Sequence, residues 1–310
     1  MPKLLSVNRI LKLMGNRFEF TVIAENQQDG NEAIDQAIAE VSRIENLLTT
    51  FNELSQTSLI NEHAGLRAVK VDEEVINLIE RSIRISEITD GAFDITYGSI
   101  DKRLWNFDQN MTSLPDEETA LASVGLIDYR NVILNKKKST VFLKNKGMRI
   151  GFGGIGKGYA ADRAKATLQK LGIKSGIVNA AGDLITWGTQ ANGRAWTVGI
   201  ADPDQTDRPF SALKIGDMAI ATSGSYEKYV TINGKRYSHT IDPKTGLPVS
   251  GIKSVSIICP SAELADALAT PVVVMGVKVG LDLVNQIKQV ACIVIDDQDH
   301  VHTSNNINVI

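Results

Sequence analysis

A chain of 310 residues is long enough for one large or two ordinary domains with a sizeable core. Its 33 basic and 36 acidic residues nearly cancel, and no Lys/Arg cluster stripes a helix, which argues against nucleic acid or an anionic membrane as the main partner. A small molecule or a protein fits this balance better.

In chain order, the N-terminal MPKLLSVNRILKLMG carries basic residues but no apolar run of about seven, so neither a signal peptide nor a membrane span is expected. A cytoplasmic location follows as the expectation; an export signal trimmed from the start would make the protein periplasmic or membrane-anchored instead. FEFTVIA reads as a strand. The next segment reads as a helix, because Ile34, Ile38, Val41, Ile44 and Leu48 recur at three- and four-residue steps. A second helix starts at Asp72 as N-cap, with Glu73 and Glu74 at the positive end of its dipole and Val75, Leu78, Ile79 and Ile85 facing inward. DGAFDITYGSI reads as a loop of small and polar residues.

AADRAKATLQKLG predicts a helix with Ala160, Ala164, Leu168 and Leu171 on one side and Gly172 as its stop. Strands follow in SGIVNAAGDLITWG, AWTVGIAD, DMAIATSG, YEKYVTI and KRYSHTI, the last two joined by a tight Asn233-Gly234 turn that makes them antiparallel. Helices around SAELADALAT and GVKVGLDLVNQI precede a final strand, VACIVID. Cys259 and Cys292 lie in separate apolar runs without a Cys or His at ligand spacing and read as buried structural thiols. No repeat or low-complexity linker divides the chain, and hairpin-joined strands with helices in blocks indicate an α+β fold.

GFGGIGKGYA, residues 151–160, satisfies two phosphate-binding patterns at once. As a P-loop it lacks the Mg²⁺-binding hydroxyl after the lysine, where Gly158 stands, and the Walker B-like Val294 to Asp297 is a pattern that chance also produces. As a dinucleotide turn it lacks a buried strand leading into Gly151, since KNKGMRI is polar, and no acidic residue follows at the required distance. A glycine-rich turn that only allows tight helix packing is the bland alternative. What survives every reading is a helix start whose exposed N–H groups favour an anion.

Three other stretches carry chemistry. His239, in SHTIDPKTGLPV, sits among turn-forming and hydroxyl residues, unlike His63, His300 and His302 in polar surface contexts; it is either a base or a structural hydrogen-bonder. Asp266 and Thr270 share a helix face amid small residues, which suits a hard cation such as Mg²⁺ as well as a plain Asp–Thr hydrogen bond. Pro271 is expected to kink or end that helix where the ligands lie. Asp94, beside Phe93 in GAFD, reads as a cap next to a core aromatic.

Taken together, LMGNRFEF, TTFNELSQTSLIN, TDGAFDITYGSI, GGIGKGYAADRA, VNAAGD, WTVGIADP, ATSGSYEKY, SHTIDPKTGLPV and ADALAT occur in the order found in the ApbE family, the FAD:protein FMN transferases, which the chain resembles over nearly its whole length. The resemblance implies mostly antiparallel sheets with packed helices in an ApbE-like, T-fold-related architecture. It covers 1–310 as one domain, or as two lobes with the active site between them. It also implies an Mg²⁺-dependent enzyme that cuts the pyrophosphate of FAD, transfers FMN to a Thr or Ser hydroxyl of an acceptor flavoprotein and releases AMP. The rival readings are an FAD pyrophosphatase that yields FMN and AMP, and a non-catalytic flavin-binding protein.

Carried over position by position, Met14, Phe51, Ala92, Phe93, Asp94, Gly151, Lys157, Thr240 and Ile241 fall where the family contacts FAD. Asp266 and Thr270 fall on metal-ligand positions, with Gly154 and Ala269 contributing backbone carbonyls, and His239 falls on the catalytic histidine. Lys157 and the loop amides are expected to neutralise phosphate beside Mg²⁺, and His239 to take the acceptor proton. Three positions depart from the family: Gly151, where Asp is frequent; Phe51, where Tyr is frequent; and Pro271, where a good helix former is usual.

Overall fold

The computed structural model describes residues 4–104, 113–201, 209–224 and 229–307. An eight-stranded sheet forms its centre: β1 (Leu5–Leu13), β2 (Asn16–Ala24), β3 (Gly176–Ala180), β4 (Asp183–Trp187), β5 (Ala219–Gly224), β6 (Ile252–Cys259), β7 (Ala291–Asp296) and β8 (Val301–Thr303). Each strand pairs antiparallel with the next in chain order, so the sheet runs β1 to β8 without a crossover. Long excursions leave it between β2 and β3 and between β5 and β6, and these carry most of the candidate site.

Helices α1 (Gln27–Leu48), α2 (Glu73–Ile88), α3 (Gly156–Lys170) and α4 (Ala262–Val284) belong to the main core; α1, α3 and α4 lie against the sheet, and α3 packs between the other two. Ile34, Val41, Ile44 and Leu48 of α1 and Val75, Leu78, Ile79 and Ile85 of α2 are buried, as their spacing predicts. The opposite face of the sheet is covered by a hairpin of Trp196–Ala201 and Pro209–Ile215, whose Trp196, Val198, Ile200 and Ile215 meet Ile23, Leu184, Ile220 and Ile258. With both faces covered, β6 is buried at every position. This is the expected α+β architecture with antiparallel sheets.

Several local expectations change. β1 was not legible because it is an edge strand, with Leu5 and Leu11 only partly covered, Ile10 exposed and Arg9 reaching Asn31 on α1 at 2.9 Å. SGIVNAAGDLITWG folds as a hairpin, β3 to β4, turned by Ala181 and Gly182 at φ 56° and 98°. α3 begins at Gly156, earlier than predicted, and Leu171, expected on its buried side, is half exposed beyond its last turn. Asp72 sits at the N-cap of α2 but makes no side-chain capping bond. The Asn233-Gly234 hairpin forms between Tyr229–Ile232 and Lys235–Ser238; Tyr226 to Lys228 of that predicted strand, and Asp202 and Pro203 of WTVGIADP, lie outside the described residues.

Pro271 does not break its helix. Proline's fixed φ is itself helical, so its cost is one lost hydrogen bond and a displaced carbonyl, which α4 tolerates in a buried position. The break falls at Gly276, whose φ of 79° and ψ of 170° no helix can hold, and it separates the two predicted helical segments. Among the described residues α4 is the one helix long and apolar enough to cross a membrane; here Ala262, Ala265, Leu268 and Val272 are buried, with α4 against β5 and β6. Cys259 and Cys292 are buried free thiols, and burial pushes them up to about 11 and about 12.

α3 and α4 are joined at their N-termini by reciprocal capping. Asp162 of α3 accepts the N–H groups of Ala262 and Glu263, both at 3.0 Å, while Asp266 of α4 accepts the N–H of Gly158 at 3.0 Å. The approach leaves no room for a side chain at 158, where a Cβ would lie 2.1 Å from the Ala262 carbonyl oxygen and 2.8 Å from the Asp266 Cβ. Gly158→Ala is therefore expected to cost about 3 kcal/mol of stability, read by urea unfolding, because backbone must move to admit the methyl. A cost under about 0.5 kcal/mol would show that the two helices are not locked together here.

Candidate active site

The residues singled out by sequence gather around one cavity of about 730 Å³, within the range of small-molecule and cofactor sites. Met14, Phe51, Ala92, Phe93, Asp94, Gly151, Gly154, Lys157, His239, Thr240, Ile241 and Thr270 all line it. Asp266 and Ala269 are buried behind this lining on the same stretch of α4 as Thr270.

Each wall is set by local structure. Met14 and Gly15, at φ 50° and 73°, form the two-residue turn between β1 and β2 and put Met14 at the rim. Phe51 stands almost fully exposed just after α1. The GAFD segment leads into a 3₁₀ turn, Ile95–Ser99, that Asp94 caps, one oxygen accepting from the Thr96 N–H and hydroxyl at 2.7 and 2.6 Å and the other from the Tyr129 N–H at 2.9 Å. The capping role read from the sequence is thus realised at the cavity wall. Burial pushes the Asp94 carboxyl up, against the pull of these hydrogen bonds.

The glycine bend is held from outside. Asn61 spans 89 residues to bond Ile150 twice, donating to its carbonyl at 3.0 Å and accepting its N–H at 2.7 Å, and the Gly151 N–H donates to the Ile95 carbonyl at 3.0 Å. A Cβ at Gly151 would meet nothing within 4 Å, so where the family often carries Asp this chain leaves open space in the lining.

His239 follows the Lys235–Ser238 strand and is exposed. Its neighbours are pinned by a folded-back loop: the Ser238 N–H donates to the Val249 carbonyl at 2.8 Å, the Val249 N–H to the Thr240 carbonyl at 3.0 Å, and Ile241 bridges Pro248. The backbone on either side of the imidazole is therefore fixed.

At the cavity floor Lys157, in the first turn of α3, meets two buried carboxylates. Its ammonium lies 2.5 Å from Asp183 Oδ2 and 3.3 Å from Asp266 Oδ1. Burial alone would depress the Lys157 ammonium, but the charges of Asp266 and Asp183 outweigh it and hold the group above its ordinary value. Burial pushes the Asp183 carboxyl up to about 7, the Asp266 charge adding to the effect and Lys157 opposing it. The one ammonium thus faces both carboxylates. Lys157 is therefore already engaged, whereas the sequence suggested a lysine available to phosphate.

Asp183 is the residue that sequence reasoning missed. It stood in view in VNAAGD, but an acid after a turn has no distinctive spacing, and only the β3–β4 hairpin shows that it starts a buried strand. Asn61 and Ser223 were also passed over; Ser223 Oγ lies 3.5 Å from Thr270 Oγ1 and lines the cavity.

The donors near Asp266 fit a hard divalent cation. The Asp266 carboxylate and the Thr270 hydroxyl, one turn apart on α4, are oxygen donors of the kind such a cation prefers. Among the described residues no group of three His, Cys, Asp or Glu side chains forms a metal cage. Such a centre would rely on one carboxylate, neutral oxygens and the substrate's own phosphates, which is the usual way proteins hold Mg²⁺.

The description of the ApbE family matches residues 14–294 of the chain. The FAD:protein FMN transferase of Treponema pallidum (strain Nichols) is 31% identical over 287 residues, 88% of this chain and 79% of that protein. A protein of the same description from Klebsiella pneumoniae (strain 342) is 32% identical over 259 residues, 81% of this chain and 80% of that one. Among solved structures, the ApbE protein of Thermotoga maritima superposes with a TM-score of 0.85 at 30% identity over 97% of both chains. The flavin transferase ApbE of Vibrio cholerae superposes with a TM-score of 0.84 at 26% identity, over 97% of this chain and 98% of that one.

Proposed function

From membership in the ApbE family, to which this chain belongs, we infer an enzyme that takes FAD, transfers its FMN part to a Thr or Ser hydroxyl on an acceptor flavoprotein and releases AMP. The observation that carries the residue-level reading is one cavity lined by both His239 and Lys157, whose ammonium pairs with Asp183 and Asp266.

Phosphoryl transfer asks a protein mainly to position the reactants and balance charge. Asp266 and Thr270, with the carbonyls of Gly154 and Ala269, would hold Mg²⁺. Bound there, the ion supplies Lewis-acid neutralisation of the FAD pyrophosphate. The chain's own residues do the rest. Phe51, Met14 and the 92–94 loop enclose the dinucleotide, and the pinned glycine bend keeps its backbone against the phosphates. His239 takes the proton from the acceptor hydroxyl as that oxygen bonds to the FMN phosphorus and the phosphorus–oxygen bond to AMP breaks. A cytoplasmic setting is part of the proposal, and cell fractionation tests it.

Incubation with FAD and Mg²⁺, with and without a Thr-bearing acceptor flavoprotein, is the deciding experiment. Covalent flavin on the acceptor with AMP released in proportion is expected. AMP formed at the same rate without acceptor would assign a pyrophosphatase, and bound FAD left intact would assign a binding protein.

A further inference from the structure

We propose that Asp183 is a positioning residue that keeps the Lys157 ammonium off Asp266, so that Asp266 can take a divalent cation; this rests on the cation role proposed above. The ammonium is shared unequally, 2.5 Å from Asp183 and 3.3 Å from Asp266. None of the three groups can easily withdraw. Asp183 is the first residue of β4, fixed by the tight turn before it and by its pairing with Ala180, and its side chain is buried. Lys157 leaves the first turn of α3, and the second oxygen of Asp266 is committed to the Gly158 N–H.

The one freedom in this cluster is how the ammonium divides itself between the carboxylates. With Asp183 present, the ammonium makes its closer ion pair with Asp183, and a cation arriving at Asp266 Oδ1 displaces only the longer contact. Without Asp183 the partly buried ammonium has a single charged partner and is drawn onto it by charge attraction. Lys157 would then act as a built-in competitor of the cation. A ligand role for Asp183 makes a different prediction: its removal should weaken the cation whether or not Lys157 is there.

The test is a Mn²⁺ titration by electron paramagnetic resonance, with FAD present and no acceptor, on four full-length proteins, wild type, Asp183→Asn, Lys157→Met and the double variant, with Asp266→Asn as the control for the cation site. Asp183→Asn is expected to weaken Mn²⁺ binding by roughly tenfold or more when Lys157 is present, and by less than about threefold in the Lys157→Met background, where only the lost carboxylate charge remains. Equal losses in the two backgrounds, or no loss in the first, would overturn the proposal. Lys157→Met alone should bind Mn²⁺ more tightly than wild type, and it decides the matter even if Asp183→Asn does not fold; unchanged or weaker binding there would also overturn it. If wild type binds no Mn²⁺ while Asp266→Asn behaves identically, the cation reading itself falls and the proposal with it. Thermal melting of all four separates these effects from stability, since a structural role alone would lower the melting temperature without the dependence on Lys157.

Discussion

Asp266→Ala is expected to lower Mg²⁺-dependent flavin transfer by roughly 10³-fold or more, equivalent to about 4 kcal/mol of transition-state stabilisation. The effect is large because one carboxylate serves three partners: the proposed cation, the Lys157 ammonium and the Gly158 N–H. Removing it also strips a cap from α3, which adds about 1 kcal/mol of lost stability. Asp266→Asn divides these roles. Its amide oxygen can still accept the Gly158 N–H, so the fold should melt near the wild-type temperature while a neutral side chain holds Mg²⁺ poorly. Initial rates across an Mg²⁺ titration check this, and an Asn variant with wild-type Mg²⁺ dependence would rule out the assignment.

His239→Ala is expected to slow transfer by roughly 10²- to 10⁴-fold, the span that a positioned general base supplies, with FAD affinity changed by less than about twofold. The histidine is exposed on a loop whose backbone is pinned on both sides, so truncating the imidazole should leave that loop in place. Single-turnover transfer from prebound FAD isolates the chemical step from binding. Should the variant lose FAD affinity in step with rate, His239 would be a binding residue and the proton would need another acceptor.

The long helices and most interior strands of the central sheet were legible because they bury one face or both, and burial writes a period into the sequence. Ile34 to Leu48 and Val75 to Ile85 show this directly, whereas the short helices Gln56–Glu62 and Glu117–Ser123 and the strands Val132–Asn135 and Thr140–Leu143 were not read. β1 escaped because an edge strand needs only part of its apolar set, and the β3–β4 turn escaped because Ala181 in a left-handed conformation is not a usual turn signal. Pro271 drew attention from Gly276 because proline is the familiar breaker, although backbone geometry gives the stronger break to the glycine. At the site, His239, Lys157, Asp266 and Thr270 could be picked out singly, but periodicity could not say that they share one cavity. Their order along the chain and its likeness to a family suggested it. Asp183 depends on a hairpin register that no local pattern specifies, and the engagement of Lys157 by two carboxylates depends on Asp183.

The exchange of caps between Asp162 and Asp266 ties chemistry to architecture. A fluctuation that unwound the first turn of α4 would carry Asp266 away from the cavity floor and free the start of α3 in the same movement. Half-open states of this corner are thereby disfavoured, and the donor atoms are presented together or not at all. Loosening the clasp at Asp162 would therefore blur the readiness of the catalytic floor without altering any residue that lines the cavity.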